Sequence, residues 1–424
     1  MSFPELTKYG LVIGLLLALG WRLQSQILKQ LKGENKGAVW LKNGLSSTSS
    51  SIYTYNHEKR TDEVVRSHAE EEFPADWWND EKIFQLERRA IFSKTWLFVT
   101  HICTFQKPGD YRTFEAAGFS LVVMLGKDQN LRVFQNVCRH RAYQVAKKER
   151  GSTTVLGCRY HGWSYDTKGN LIKAPEFDNV PGFDKSKNSL WEVRSVIKAG
   201  LLFVNLDSND NVGMLDVPQL QTTFAIPSLR KFHCIGEWKF DGAFNWKFAV
   251  FSDPLLEKNP PVLTWARAAL FGQTRKRLKL GYNAEIHKNS SGEILTIRLM
   301  PKTATTTVVE CCLYSILPKC TETTPQALEK AIKEALVEIE VLQKAALGDK
   351  RNLVATSNRQ HEINTMILHH AKDEELIRAE IQPAAQRGSI TAIGKADDEF
   401  CRKLDGLSNN KTVCSAHALG LLDW

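Results

Sequence analysis

The stretch NVCRHRAYQVAKKERGSTTVLGCRYHGW, residues 136–163, constrains this chain more than any other. It holds two short ligand clusters. Cys138 and His140 are separated by one residue, Cys158 and His161 by two, and 17 residues lie between the clusters. Four such ligands can close a tetrahedral zinc site, but zinc spacing usually groups Cys with Cys and His with His. Here each cluster contributes one of each. That pattern suits a two-iron cluster in which one iron keeps two thiolates and the other takes two imidazoles. Neutral imidazoles remove negative charge, so the reduced state is easier to reach, and they can release protons on oxidation. Zinc, or a set of four purely structural side chains, is the alternative reading of these residues.

The chain has 424 residues, 43% hydrophobic and 24% charged, enough for two or three globular domains. Its net charge of +9 is spread along the sequence, which implies solubility or a mildly basic docking face. No base-reading motif accompanies that charge, so nucleic acid is not an expected partner. Nine cysteines, an odd count with no small-domain framework, favour a reducing compartment. The segment Tyr9 to Trp21 is uncharged and mostly apolar, yet short of the roughly 20 residues a span needs. Arg22, Lys29, Lys32 and Lys36 follow it, against Lys8 alone before it, so the downstream chain is expected on the cytosolic side. Residues 1–23 therefore read as a membrane anchor or a targeting segment. The alternative location is simply cytoplasmic.

Residues 24–72 read as a flexible linker containing the low-complexity run GLSSTSSS. From Asp76 to Val99 helical spacing gives way to a strand-like end, with Ile83, Leu86, Ala90 and Phe92 suited to one helix face. YRTFEA, SLVVMLG, NLRVF and LLFVNL read as short strands separated by turns. GEWKFDGAFNWKFAV, EILTIRLMP and TTTVVECCLYSIL read as longer antiparallel strands. Pro325 to Leu347 and Thr365 to Ile381 read as helices.

The chain resembles the Rieske non-heme iron oxygenases, nearest the choline monooxygenase-like and fungal branch. C-x-H at 138–140 and C-x2-H-G-W at 158–163 carry the resemblance. PGDY at 108–111, FQNVCRHR at 134–141, GLLFVNLD at 200–207 and NWK at 245–247 extend it. It implies an α+β chain. An all-β Rieske [2Fe-2S] domain with an N-terminal helix, 73–232, is followed by a helix-grip catalytic-type domain, 233–424, a curved antiparallel sheet around a helix. It implies Cys138 and Cys158 on one iron of the cluster and His140 and His161 on the other. Arg139, Arg141, Tyr160 and Trp163 become candidates for shielding the sulfurs, with packing in the loops as their alternative role.

The resemblance also implies a mononuclear Fe(II) held by two histidines and a carboxylate. Here the matching segment, NWKFAVFSDPLLEKNPPVLTWARAAL, contains no histidine. Asn259 and Thr264 fall at the histidine positions, Leu256 or Glu257 at an acidic bridging position, and Ala335 at the carboxylate. Pro260-Pro261 would disturb a ligand-bearing helix. His361, His369 and His370 could supply a substitute site but read first as surface histidines of a late helix.

An intact cluster set beside a degenerate triad reads as an electron-transfer subunit. It would pass electrons to the mononuclear iron of a homologous, triad-bearing partner within a trimer-type oligomer. The alternative is a self-sufficient monooxygenase or dioxygenase acting on a small substrate, a quaternary amine or a secondary metabolite, through a non-standard iron site. A redox sensor is the third reading. Under the first two a separate NAD(P)H-dependent reductase is expected, because the chain has no Gly-rich nucleotide loop.

Overall fold

The structure, a computed structural model, describes residues 77–175, 177, 183–207, 209, 212–222, 232–250, 276–289, 292–318, 325–348 and 358–383. Tyr9 to Trp21, the serine-rich linker, Glu257, Asn259 and Thr264 lie outside the described residues. Among the described residues no helix is long and apolar enough to cross a membrane.

Helix α1 (Glu81–Glu87) starts where the Asp80 carboxylate accepts a hydrogen bond from the Lys82 amide at 2.6 Å. It runs into a wider π-turn at Arg88–Phe92. The extra residue in that turn shifts the buried face. Phe84, Glu87, Ala90, Ile91 and Phe92 are buried, whereas Ile83 and Leu86 are only half-buried, so the expected face is partly displaced.

Three sheets follow. Strand β1 (Leu97–His101) pairs with β10 (Leu201–Asn205), which pairs with β9 (Arg194–Lys198). A four-stranded sheet has the order β4 (Leu131–Gln135), β3 (Phe119–Leu125), β2 (Asp110–Ala116) and β5 (Arg150–Ser152). A small sheet joins β6 (Val155–Gly157), β7 (Ser164–Asp166) and β8 (Leu171–Lys173). Strand β3 is buried along its whole length, so it reads as a continuous apolar run and not as an alternation. Leu121 and Val123 enter the main core, while Val122 and Met124 enter a second core that contains Cys138, Cys158 and Trp163. One strand thus forms the wall between the scaffold and the ligand loops.

The later part is a five-stranded antiparallel sheet in the order β11 (His233–Gly242), β15 (Thr306–Ser315), β14 (Ile294–Thr303), β13 (Ala284–Lys288) and β12 (Lys276–Leu280). Helix α3 (Pro325–Gly348) packs on it. Leu295, Ile297, Val309, Cys311 and Leu313 share one core with Leu328, Ile332, Ala335 and Ile339. The short helix α2 (Trp246–Val250) precedes α3, and α4 (Asn358–Ile377) comes last. The expected extension of β11 through NWKFAV is therefore corrected: the strand ends at Gly242 and NWKFAV turns helical. Asn245 explains the break, because its side-chain oxygen accepts a hydrogen bond from the Lys247 amide at 2.9 Å, an N-cap contact that a strand cannot use.

Asn245, Trp246 and Lys247 bind this helix start to three other elements. Asn245 Nδ2 donates to the carbonyls of Trp78 and Ala304, and its amide donates to Gln343 Oε1 of α3 at 2.7 Å. Trp246 Nε1 donates to Glu87 at 2.7 Å. Lys247 Nζ donates to Glu87 and to the Trp77 carbonyl, and lies 4.2 Å from the centre of the Trp77 ring. Both charges are buried. Burial raises the Glu87 carboxyl and lowers the Lys247 ammonium, and each shift is opposed by the other's charge.

Replacing Lys247 by Met leaves Glu87 buried without its counter-charge. The expected loss is about 3–5 kcal/mol of unfolding free energy in denaturant titrations. Adding Glu87→Gln, which keeps an acceptor for Trp246, is expected to recover at least half of that loss.

His101, at the end of β1, generates a second expectation. Its Nδ1 accepts a hydrogen bond from the Cys103 amide at 3.1 Å, and burial lowers its imidazole from 6.5 to about 4. The unfolded chain therefore binds a proton below 6.5 that the folded chain refuses until about 4. Stability present above that window is lost as the pH falls through it, by about 3 kcal/mol. His101→Asn, which keeps the acceptor and cannot titrate, is expected to flatten this slope in thermal melts between these pH values.

Candidate metal-cluster site

Two loops of similar construction carry the four predicted ligands. The first leaves β4 and contains Cys138 and His140; the second joins β6 to β7 and contains Cys158 and His161. In the first, the Cys138 amide donates to the Tyr143 carbonyl at 2.7 Å and the Ala142 amide to the Cys138 carbonyl at 2.9 Å. The second repeats this: Cys158 to Trp163 at 2.8 Å and Gly162 to Cys158 at 3.0 Å. The residue that reverses each loop has a left-handed backbone, φ 53° at Ala142 and 72° at Gly162. Glycine accepts this conformation without strain and alanine does not. Asn136 fastens the base of the first loop, donating to the Ala146 carbonyl at 2.8 Å and accepting from the Ala146 amide at 2.7 Å.

The loops bring the ligands together in pairs. Cys138 and Cys158 are free, buried thiols that hydrogen-bond each other. The His140 amide is aimed at Cys138, and the Tyr160 and His161 amides at Cys158. The thiol–thiol hydrogen bond holds Cys158 down to about 6 against its burial, and pushes Cys138 up together with burial. The imidazole rings of His140 and His161 lie 4.6 Å apart, centre to centre. Among the described residues no three or more His, Cys, Asp or Glu side chains converge on a single metal ion. A two-plus-two set of this kind fits a [2Fe-2S] cluster with two thiolates on one iron and two imidazoles on the other.

The surrounding side chains divide into three roles. Trp163 is buried and stacked on His140, 10° from parallel with centres 5.0 Å apart, and Phe177 and Phe183 pack edge-on against Trp163. Arg139 turns away from the ligands: its guanidinium donates to the Ser189 carbonyl at 3.0 Å and stacks 4.0 Å over Trp191. It is a packing residue of the loop. Tyr160 lies 4.0 Å from His161 and stacks on Tyr143 on the outer side, and Arg141 is half-buried in the first loop.

Tyr165 was not singled out from the sequence. Its hydroxyl accepts from the Arg139 amide at 3.0 Å and lies within hydrogen-bond distance of Cys138 Sγ, at 3.3 Å. A tyrosine two residues beyond Trp163 on the inward face of a strand was the available signal.

The candidate iron-triad positions are not assembled among the described residues. Ala335 is buried in the apolar core of α3 with Leu328, Ile332 and Leu336. Further along the same helix, Glu340 accepts from the Ala243 amide at 2.8 Å and Gln343 from the Asn245 amide. These two residues hold the start of α2. His369 is exposed, as expected of a surface helix, but His370 is buried and bonded through Nε2 to Glu374 at 3.0 Å. Glu374 also accepts two hydrogen bonds from Arg89. His370 thus belongs to a contact that fastens α4 to the π-turn. His287 is buried within β13, 3.3 Å from Glu285.

Residues 95–184 match the family model of the Rieske [2Fe-2S] domain. The carnitine monooxygenase oxygenase subunit of Escherichia coli K12 is 34% identical over 179 residues, 42% of this chain and 48% of that protein. The alpha subunit of 2-aminobenzenesulfonate 2,3-dioxygenase from an Alcaligenes species is 42% identical over 136 residues, 31% of this chain and 34% of that protein. The chain therefore spans about half the length, or less, of these curated relatives. A crystal structure of the apo form of the quaternary ammonium Rieske monooxygenase CntA superposes with a TM-score of 0.55 at 22% identity, over 71% of this chain and 94% of that one. At that identity the likeness bears on fold alone.

The chain carries a Rieske domain with a [2Fe-2S] cluster as its cofactor, followed by an α+β part whose fold is like that of the monooxygenase structure. Its Rieske domain is similar to those of Rieske monooxygenase and dioxygenase subunits.

The strained turn supplies a direct test of the loop pair. Ala142→Gly is expected to stabilise the protein by up to about 1 kcal/mol, because relief of the left-handed strain exceeds the added chain entropy. Gly162→Ala is expected to destabilise it by a similar amount, since its Cβ would also meet Pro175 Cγ at 3.3 Å. Thermal melts of both variants check the pair.

Proposed function

We propose that this chain is an oxidoreductase of the Rieske oxygenase class that serves the oxidation of a small quaternary amine. Cys138 and Cys158 hold one iron of its cluster, and His140 and His161 the other. The pairing of two thiols with two imidazoles at the loop tips is the observation that carries this reading. Likeness to carnitine monooxygenase subunits supports the substrate class, and favours an oxygenase over a pure electron carrier. The cluster supplies one-electron storage when bound. The protein's part is to aim the His140, Tyr160 and His161 amides and the Tyr165 hydroxyl at the sulfurs, and to shield His140 behind Trp163. The electrons come from a separate NAD(P)H-dependent reductase.

Ala335 favours a second reading. A buried methyl group at the expected carboxylate position cannot ligate iron, which suits a subunit that serves the mononuclear iron of a homologous partner in a trimer-type oligomer.

Iron and acid-labile sulfide per purified chain test both. Two sulfides are expected, with a Rieske signal in electron paramagnetic resonance after reduction, and Cys158→Ser is expected to lose both. A third iron per chain assigns oxygen activation to this chain. Only two irons, with activity restored by a triad-bearing homologue, assigns it to a partner. A chain that binds no sulfide overturns the proposal.

A further inference from the structure

Four side chains with a buried, unmet hydrogen-bond donor gather where β1 and β2 approach the large sheet. Arg298 of β14 is 3% exposed, Tyr314 of β15 is 1% and His101 of β1 is 2%; Arg112 of β2 is the fourth. Arg298 gives one end of its guanidinium to Glu310, and Arg112 one end of its own to Glu237. Arg298 Nη1 and Arg112 Nε then have no acceptor among the described residues. His101 accepts through Nδ1 from the Cys103 amide, and burial keeps its ring neutral, so the one ring proton sits on Nε2. That Nε2 has no acceptor either. The Tyr314 hydroxyl has the Cys312 thiol beside it but makes no well-formed hydrogen bond to it.

These groups are neighbours. The His101 and Tyr314 rings lie 4.9 Å apart, centre to centre. Both guanidiniums lie over the Phe114 ring, 4.9 Å from its centre at Arg298 and 5.7 Å at Arg112. Both are within electrostatic reach of the Tyr314 hydroxyl. Every unmet group is a donor, and a buried donor without an acceptor is destabilising, more so when it is charged. Glu237 and Glu310 are already divided, since Arg150 also takes Glu237 at 3.0 Å and Lys239 also takes Glu310 at 3.7 Å. Burial, with the Arg112 charge added to it, lowers the Arg298 guanidinium to about 10. Water would satisfy the donors and leave that charge uncompensated; an anion answers both.

We propose that His101, Arg112, Arg298 and Tyr314 form a binding site for one small monovalent anion, of the size of chloride, between the Rieske domain and the sheet that follows it. The site uses none of the cluster ligands. Its ligand accepts from two strands of each part and so ties the two parts together. Phe114 and Phe232 pack against the donors. In such surroundings a divalent ion is at a disadvantage, because stripping its water is far more costly.

The probe is sodium chloride, exchanged for sodium gluconate at constant ionic strength so that screening stays fixed. The full chain is used and thermal melts are the readout. For the wild type a rise in melting temperature that saturates with chloride is expected. Tyr314→Phe keeps the ring and removes one donor. It is expected to move the midpoint of that rise to about tenfold higher chloride. Arg298→Met is expected to lose the rise. Crystals grown with bromide are expected to show an anomalous scattering peak within hydrogen-bond distance of Arg298 Nη1.

Melts indifferent to chloride at fixed ionic strength overturn the site, because water then serves the donors. A midpoint that Tyr314→Phe leaves at the wild-type value overturns it as well, since the ion is then bound elsewhere. The absence of a bromide peak beside Arg298 does the same. If Arg298→Met does not fold, Tyr314→Phe and the bromide peak decide the matter between them.

Discussion

The buried pair of Glu87 and Lys247 is the interaction on which the remaining architecture depends. It joins the helix that opens the described chain to the helix start that follows the first strand of the large sheet. Neither charge faces water, so each stays paired only while its surroundings are in place. Trp246 and the Trp77 carbonyl complete the hydrogen bonding. Asn245 adds Trp78, Ala304 and Gln343 to the same knot. A buried pair adds little stability compared with an apolar substitute, yet loss of one partner is costly. Its effect is to fix where three separate stretches of chain must meet.

From that knot the cluster site is reached through β3. Its odd-numbered side chains, Leu121 and Val123, lie in the scaffold core, and Val122 and Met124 support the ligand loops. Both loops are then closed by their own backbone, with the same pair of amide–carbonyl contacts in each. The thiols sit inside while the histidines lie near the surface, one behind an aromatic wall and the other beneath two exposed tyrosines. Sulfur chemistry is thereby kept from water, while the edge covered by the two tyrosines is exposed.

Much of this was legible along the chain. The short strands, the two late helices and the four ligands each carry a local signal: alternation, helical spacing, or Cys and His at fixed offsets. The departures arose where a contact remote in sequence decided the outcome. NWKFAV has strand-like composition, but Asn245 caps a helix there because Gln343, 98 residues later, holds its amide. Arg139 stands between two ligands in sequence, yet it reaches Trp191 and Ser189. His370 looks like a surface residue until Glu374 and Arg89 are seen to enclose it.

The sequence by itself determined which side chains are candidates for the metal cluster, because ligand chemistry follows from residue type and spacing. It also placed a methyl group at Ala335, where the resemblance leads one to expect a carboxylate. Only the tertiary structure decided how those atoms are used. It paired thiol with thiol and imidazole with imidazole, turned Tyr165 onto Cys138, sent Arg139 away, and left Tyr143 and Tyr160 in solvent. The physical reason is range. Ligand spacing is a property of neighbouring residues, whereas burial, hydrogen-bond partners and exposed faces depend on segments that meet only when the chain has folded.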